Sequence, residues 1–125
     1  MADGDPNFLG LFSRERNVAA LKAGETLFKK GDPAQFMYVV LSGDVRIGID
    51  NHIYETVGPG GIVGEMALID KDPRSATVTA VGDCTLAEID EKRLLFLVQQ
   101  TPSFALNLMR LLTHRLRRMN ELVKS

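Results

Sequence analysis

Two side chains of opposite charge, Glu65 and Arg74, stand in a partly apolar stretch, residues 64–78, that reads GEMALIDKDPRSATV. Arg74 comes just before a strand-like segment, residues 75–78. A guanidinium that enters the interior of a sheet needs a partner, because an unpaired buried charge is very costly. Two interpretations stay open on spacing alone. Either the two side chains form an ion pair, worth about 0–1 kcal/mol at a surface, or both face a small polar guest.

The guest that these side chains suit is an anion with a hydroxyl group nearby. A phosphate accepts two parallel hydrogen bonds from a guanidinium, and an ionised carboxylate accepts a hydrogen bond from a sugar hydroxyl. Free amides at the start of a short helical turn over residues 65–69 also favour an anion. Glycines let backbone approach a ligand closely, and four of them lie just upstream: Gly58, Gly60, Gly61 and Gly64.

Short apolar segments separated by glycine, aspartate and asparagine turns occupy the chain from Gly24 to Ile89. Val45, Ile47 and Ile49 alternate with polar or small residues, which is typical of a strand with one face in water. Short strands with turn signals at such intervals indicate an antiparallel sandwich or roll. We predict a helical or irregular cap at residues 8–21 and strands at residues 26–28, 37–41, 45–49, 53–57, 77–81 and 85–89.

The last third of the chain, residues 90–125, has a helical pattern. Asp90 is the predicted N-cap of a helix over residues 91–100, and Thr101-Pro102 marks a break before the next helix. An apolar heptad seam over residues 105–123 runs beside a second stripe of leucines. Either both stripes pack within one domain, or one of them joins two copies in a homodimer. The seam consists of Ala105, Met109, Leu112, Leu116, Met119 and Val123, and the stripe of Leu108, Leu111 and Leu122.

Composition and the scarcity of reactive groups argue against several classes of protein. The formal net charge of −1 argues against general affinity for nucleic acid. His52 and His114 cannot supply a histidine metal cluster, and no nucleophile has a base at a recognisable spacing. The apolar runs are far shorter than a membrane span. We therefore expect no enzyme, metal, cofactor or membrane span, and a lone, packed Cys84 fits a reducing cytoplasm.

Residues 58–80, GPGGIVGEMALIDKDPRSATVTA, closely resemble the phosphate-binding cassette of the cyclic nucleotide-binding domain family. That family includes the catabolite activator protein, regulatory subunits of cyclic-nucleotide-dependent kinases, and gated channels. The cassette reads glycine-glutamate-x-alanine, a short spacer, then arginine, a small residue and alanine. The upstream text GETLFKKGDPAQFMYVVLSGDVRI is similar to the family's early strands, so the resemblance covers about residues 19–113. The matching cassette positions are Gly64, Glu65, Ala67, Arg74, Ser75 and Ala76.

The resemblance implies a mainly β fold, an eight-stranded antiparallel β-roll of the double-stranded β-helix or jelly-roll type, with flanking helices. A single domain would then cover residues 1–125, with an N-terminal helical cap at 8–21, the roll at 22–89 and two C-terminal helices at 90–125 that act as hinge and lid. The family's activator proteins continue into a helix-turn-helix where this sequence stops at Ser125. We therefore expect no direct DNA binding by this chain.

By family analogy, Arg74 grips the cyclic phosphate, and Glu65 with the backbone of Gly64 holds the ribose hydroxyl. The cassette amides help to bind the phosphate, and the Ser75 hydroxyl reaches the phosphate or the purine. The predicted ligand-binding set is Gly64, Glu65, Met66, Ala67, Arg74, Ser75 and Ala76.

Four further residues are predicted to surround the base. Ile47 and Val63 line the base pocket, and Arg115 and Arg118 of the terminal helix are the candidate lid residues. An aromatic residue often stands at the position of Val63 in the family. The resemblance thus implies a regulatory sensor of a cyclic nucleotide. Cyclic AMP is the favoured ligand over cyclic GMP, although Ser75 distinguishes the two only weakly. The alternative is a dimerisation or scaffold domain whose roll no longer binds nucleotide.

Overall fold

The computed structural model describes residues 4–124, with side chains described for residues 4–121. They form two compact units, residues 7–91 and residues 92–124 together with residues 4–6. The first unit contains eight strands and two short helices. In chain order its elements are α1 (Leu9–Phe12), β1 (Val18–Leu21), β2 (Thr26–Phe28), β3 (Met37–Ser42), β4 (Val45–Ile49), β5 (His52–Val57), β6 (Ile62–Val63), α2 (Glu65–Asp70), β7 (Thr77–Ala80) and β8 (Cys84–Ile89).

The eight strands form two four-stranded antiparallel sheets, in the orders β1-β8-β3-β6 and β2-β7-β4-β5. The predicted mainly β fold with eight antiparallel strands and flanking helices is therefore confirmed. β4 and β5 form a hairpin in which Ile49 pairs with His52. The two loop residues, Asp50 and Asn51, have φ of 48° and 70°. Positive φ at both positions gives the turn whose twist matches that of the strands.

The core of the roll lies between the two sheets, and each sheet contributes five residues to it. Alternate side chains of a strand point to one face of its sheet, which is why Val45 is fully buried and the neighbouring Arg46 is exposed. Cys84 belongs to this core, as predicted, and burial raises the pKa of its thiol, with Asp83 and Asp44 acting in the same direction. The core cluster consists of Phe28, Tyr38, Val40, Val45, Val57, Val63, Val78, Ala80, Cys84 and Leu86.

The predicted helical cap at residues 8–21 is wrong in its extent. The helix covers only Leu9–Phe12, and Val18–Leu21 forms β1, paired with β8 along its whole length. Val18 and Leu21 are three residues apart, a spacing that suits a helix as well as a short strand, so only pairing with β8 decides between them. The two-residue β6 was also missed, because two residues are too few to show a period.

The second unit contains α3 (Glu91–Gln100) and α4 (Pro102–Lys124), which confirms both predicted helices and the break at Thr101-Pro102. The predicted seam and stripe of α4 differ in burial. Leu108 and Leu111 are buried, whereas Met109, Leu116 and Met119 are 57%, 61% and 53% exposed. The side chains of Leu122 and Val123 lie outside those that the structure describes. No helix among residues 4–124 is both long and apolar enough to cross a membrane.

Asp5 joins this unit through two side chains of α4. Nδ1 of His114 lies 2.9 Å from Oδ1 of Asp5, and Nη1 and Nη2 of Arg118 donate to its two carboxylate oxygens, each at 3.2 Å. The Asp5 side chain is only 1% exposed. Burial by itself raises the pKa of Asp5, but the hydrogen bonds and charges of Arg118 and His114 outweigh it and lower that pKa below its usual value. Asp5 therefore fixes the first described residues to the terminal helix.

Candidate functional site

The cassette begins at a glycine whose conformation other residues rarely adopt. Gly64 precedes α2 with a φ of 76°, in the left-handed region, where glycine carries no steric penalty. A Cβ added there would lie 2.5 Å from Nη1 of Arg74. The glycine is thus required both by the turn into α2 and by the close approach of the guanidinium.

Arg74 is buried in the roll, with 4% of its surface exposed. Its Nη1 donates to the carbonyl of Gly64 at 3.0 Å, and its Nη2 donates to the carbonyl of Phe36 at 2.6 Å. Its Nε is buried and has no hydrogen-bond partner among the described residues. The guanidinium therefore points into the protein, where backbone carbonyls satisfy two of the five donors that a guanidinium has.

The backbone of Arg74 is held as firmly as its side chain. Its amide donates to the carbonyl of Asp32 at 2.8 Å, and its carbonyl accepts from the amide of Gly31 at 2.8 Å. These bonds join the segment that precedes β7 to the turn after β2. The position from which the guanidinium extends is consequently set by the pairing of the two strands.

Aromatic rings surround one side of the Arg74 guanidinium. Its Cζ lies 3.9 Å from the centroid of the Phe28 ring and 5.8 Å from that of Tyr38. The two rings are stacked, with centroids 6.1 Å apart and planes 29° apart. The Phe36 ring also lies near that of Tyr38, with centroids 6.1 Å apart. Cations are attracted to ring faces within about 6 Å. The rings therefore stabilise the part of the guanidinium that the backbone carbonyls do not contact.

The electrostatics of the site follow from burial. Desolvation lowers the pKa of Arg74, and Tyr38, Asp32 and Glu65 oppose that shift; the group nevertheless stays charged, as arginine does in proteins. Burial raises the pKa of Tyr38, Glu88 adds to the shift and Arg74 opposes it. The site is therefore a positive charge in partly dry surroundings, where attraction to an anion exceeds that in water.

The remaining cassette residues differ in how they are presented. Glu65, the first residue of α2, is 3% exposed and contributes to the electrostatic field at Arg74. Ala67 is buried, Met66 is 52% exposed and Ser75 is exposed. Ala76 is half-buried. Glu65 and Arg74 thus lie inside the protein together with Ala67, whereas Met66 and Ser75 reach its surface.

The sequence matches a known family model over most of its length. Residues 18–101 match the model described as the cyclic nucleotide-binding domain. The cyclic AMP receptor protein of Thermus thermophilus is 36% identical over 126 residues, covering 91% of this chain and 58% of that protein. This chain belongs to the cyclic nucleotide-binding domain family.

Solved structures of the family agree with the fold. The catabolite activator protein of Thermus thermophilus superimposes with a TM-score of 0.79 at 33% identity, covering 86% of this chain and 53% of that one. The EAL enzyme Bd1971 matches in its cyclic AMP-bound form (TM-score 0.62, 32% identity, 86% of this chain and 30% of that one). It also matches in its cyclic GMP-bound form (TM-score 0.64, 33% identity, 84% and 29%). This chain is therefore a cyclic nucleotide-binding regulatory domain that spans about half the length of the curated receptor protein that it matches.

Within this cyclic nucleotide-binding domain, the two residues predicted to line the base pocket, Ile47 and Val63, belong to the core or pack against it. Val63 is fully buried in the core cluster, and Ile47 is half-buried and packs against it. Val63 therefore presents no surface to a ligand in this conformation. Arg115 and Arg118 lie on α4 in the second unit, and Arg118 binds Asp5. Their role as lid residues stays a prediction.

Sequence reasoning missed the residues that hold Arg74. Phe36 lies 38 residues before Arg74, and Phe28 and Tyr38 come from two different sheets. No spacing along the chain links such residues to an arginine. The only available signal was the presence of three aromatic residues in the upstream segment that resembles the family's early strands.

Proposed function

We propose that this chain is a sensory module that binds a cyclic nucleotide, cyclic AMP in preference to cyclic GMP, and transmits occupancy through its C-terminal helices. The observation that carries the proposal is the state of Arg74. Its guanidinium is 4% exposed and donates only two hydrogen bonds to protein carbonyls. A buried cation with donors to spare suits a cyclic phosphate, which is anionic and accepts several hydrogen bonds.

Each cassette residue has a role that its position supports. The donors of Arg74 that no protein carbonyl accepts from would bind the phosphate. Glu65 is buried at the start of α2, and its carboxylate would accept a hydrogen bond from the ribose 2′-hydroxyl. The first amides of α2 and that of Ser75 would complete the phosphate contacts, as the first amides of a helix have no acceptor within it. The spacing of Glu65 and Arg74 does not distinguish an ion pair from ligand binding. The role of Glu65 in binding the ribose is therefore part of the proposal.

The preference for cyclic AMP rests on similarity and on Ser75. The receptor protein at 36% identity is named for cyclic AMP, whereas the Bd1971 structures contain either nucleotide. Ser75 has a hydroxyl but is smaller than the threonine that leans toward cyclic GMP in some family members. The proposal therefore predicts a difference in affinity between the nucleotides and not exclusive binding of one.

Transmission requires an element that has different stabilities with and without ligand, because a ligand shifts an equilibrium only by its differential affinity for two states. The boundary between the compact units falls at residues 91–92, where α3 begins. A second break follows at Thr101, between α3 and α4. We assign the hinge to the segment that contains these two breaks, residues 91–101, with its main bend near Thr101-Pro102. The moving elements are α3 and α4.

Calorimetric titration tests the binding proposal. Cyclic AMP, cyclic GMP and 5′-AMP are titrated into the chain, the last as a control with the same base and an open, doubly charged phosphate. We expect saturable binding in the order cyclic AMP, cyclic GMP, 5′-AMP. Equal affinity for cyclic AMP and 5′-AMP, or no heat with any of the three, would overturn the proposal.

A second candidate, a dimerisation scaffold without nucleotide binding, is favoured by one observation. Met109, Leu116 and Met119 form an apolar row on α4 with more than half of each side chain exposed, which suits a homodimer through the seam at residues 105–123. Thermal unfolding separates the candidates. Ligand at about 100 times its dissociation constant stabilises a protein by about 2.7 kcal/mol, so a scaffold would show no shift with either nucleotide.

A further inference from the structure

We propose that Phe28 is a positioning residue for the ligand-binding guanidinium, an inference that rests on the proposed function. Arg74 lies with its Cζ 3.9 Å from the Phe28 ring centroid. At this distance the guanidinium carbon is in contact with the face of the ring, and the ring excludes water from that side of the group. Nothing in the cassette motif supplies such a surface, because Phe28 belongs to β2, far upstream of the motif.

Two features fix the Phe28 ring itself. It stacks on Tyr38, and it is 8% exposed within the core cluster. Its strand is irregular at this point, since the register of β2 against β7 shifts between Thr26 and Phe28. Such irregularities re-aim side chains. The ring therefore cannot turn away without disturbing the packing between the sheets.

Backbone pairing places the Phe28 ring and the Arg74 guanidinium next to each other. Phe28 pairs with Val78 of β7, and the turn after β2 holds Arg74 through the bonds of Gly31 and Asp32. Two carbonyls hold the Nη1 and Nη2 atoms. The ring adds the remaining constraint, which is the plane of the group. A guanidinium fixed in its plane loses less conformational freedom when it binds a phosphate through two parallel bonds.

A ring that only fills the core would have different consequences. Its removal would lower stability and disturb the site without any dependence on the group at position 74. A ring that sets the orientation of the guanidinium depends on the planar shape of that group. Lysine is a compact point charge without a planar face, so the effect of Phe28 on affinity would largely vanish once Arg74 is replaced by lysine.

The test combines a double-mutant cycle with a ligand-independent measurement. Cyclic AMP affinity is measured for the parent chain, Phe28→Leu, Arg74→Lys and the double variant, with Phe28→Tyr as the conservative rescue. Leu86→Val, a core substitution in β8, controls for general loss of stability. In parallel, the NMR signal of the Arg74 Nε proton is recorded without ligand, since a proton near a ring face is shifted upfield.

We expect Phe28→Leu to weaken binding about tenfold, because the guanidinium would then have to be ordered when the ligand binds. Phe28→Tyr and Leu86→Val should change the affinity less than twofold. In the Arg74→Lys background the effect of Phe28→Leu should fall below threefold, because a coupled pair is not additive. The upfield shift should be lost in Phe28→Leu and kept in Phe28→Tyr. Additive effects in the cycle, or an Nε signal unchanged by Phe28→Leu, would overturn the inference.

The two proposals fail in different ways. A parent chain that binds none of the nucleotides defeats the proposed function, and this inference with it as a statement about ligand binding, whatever the Nε signal shows. A parent chain that binds cyclic AMP while Phe28→Leu binds equally well defeats this inference alone.

Discussion

The carbonyl of Gly64 and Nη1 of Arg74 are joined by a hydrogen bond of 3.0 Å. The residue that opens α2 is therefore held by the same guanidinium that the cassette motif assigns to the ligand. A phosphate that recruits Arg74 acts on a group already bound to the start of α2. If Arg74 binds a cyclic phosphate as proposed, occupancy of the site would act on the start of α2 through this side chain.

Loss of the guanidinium should abolish most ligand affinity. We expect Arg74→Ala to weaken cyclic AMP binding by about 2–5 kcal/mol, as for truncation of one partner of a buried charge pair. Calorimetry measures the change. Arg46→Ala is the matched control, because Arg46 is an exposed arginine of the same roll, and its affinity should equal that of the parent. Similar affinities for Arg74→Ala and the parent would show that the phosphate binds elsewhere.

Gly64→Ala should destabilise the roll more than an equivalent change at Gly24. Both glycines have positive φ, but a Cβ at Gly24 meets open space, whereas one at Gly64 approaches Arg74. Left-handed conformation costs an alanine about 1–2 kcal/mol, which Gly24→Ala measures alone, and Gly64→Ala adds displacement of the guanidinium. Chemical denaturation gives both free energies of unfolding. Equal losses of unfolding free energy in the two variants would mean that the Arg74 guanidinium can be displaced without cost.

Asp5→Asn should lower stability in a pH-dependent way. The folded pKa of Asp5 is lowered, so its carboxylate stabilises the folded state fully above the unfolded value of about 3.9. That contribution is lost as pH falls through the lower folded pKa. The stability difference between parent and Asp5→Asn, measured by denaturation, should therefore be constant near pH 5 and shrink toward pH 3. The corresponding difference for Glu121→Gln, an exposed carboxylate of α4, should be small throughout.

The exposed row on α4 should control self-association. We expect Leu116→Glu to convert a dimer to a monomer, because it places a charge in the centre of an apolar interface. Arg117→Glu introduces the same side chain about 100° around the helix, and it should leave the dimer intact. Analytical ultracentrifugation distinguishes the states. A parent chain that sediments as a monomer at all concentrations would refute the dimer.

Much of the roll was predictable because its signals are local. The alternation of Val45, Ile47 and Ile49 gave the bounds of β4, and the Thr101-Pro102 break gave the end of α3 and the start of α4. β1 could not be separated from a helix, since its pairing with β8 joins residues distant in sequence. The cassette motif identified Glu65 and Arg74 but not Phe28, Phe36 or Tyr38, which reach the guanidinium only through the folding of the two sheets.

The contacts between Asp5 and α4 determine how the N-terminus of the chain can be shortened. Residues 4–6 belong with the terminal helices, so the roll is inserted, in chain order, into the helical unit. A protein trimmed to begin at Asn7 would keep every strand yet remove the carboxylate that His114 and Arg118 share. Trimming that looks harmless to the β-roll would thus act on the opposite end of the polypeptide.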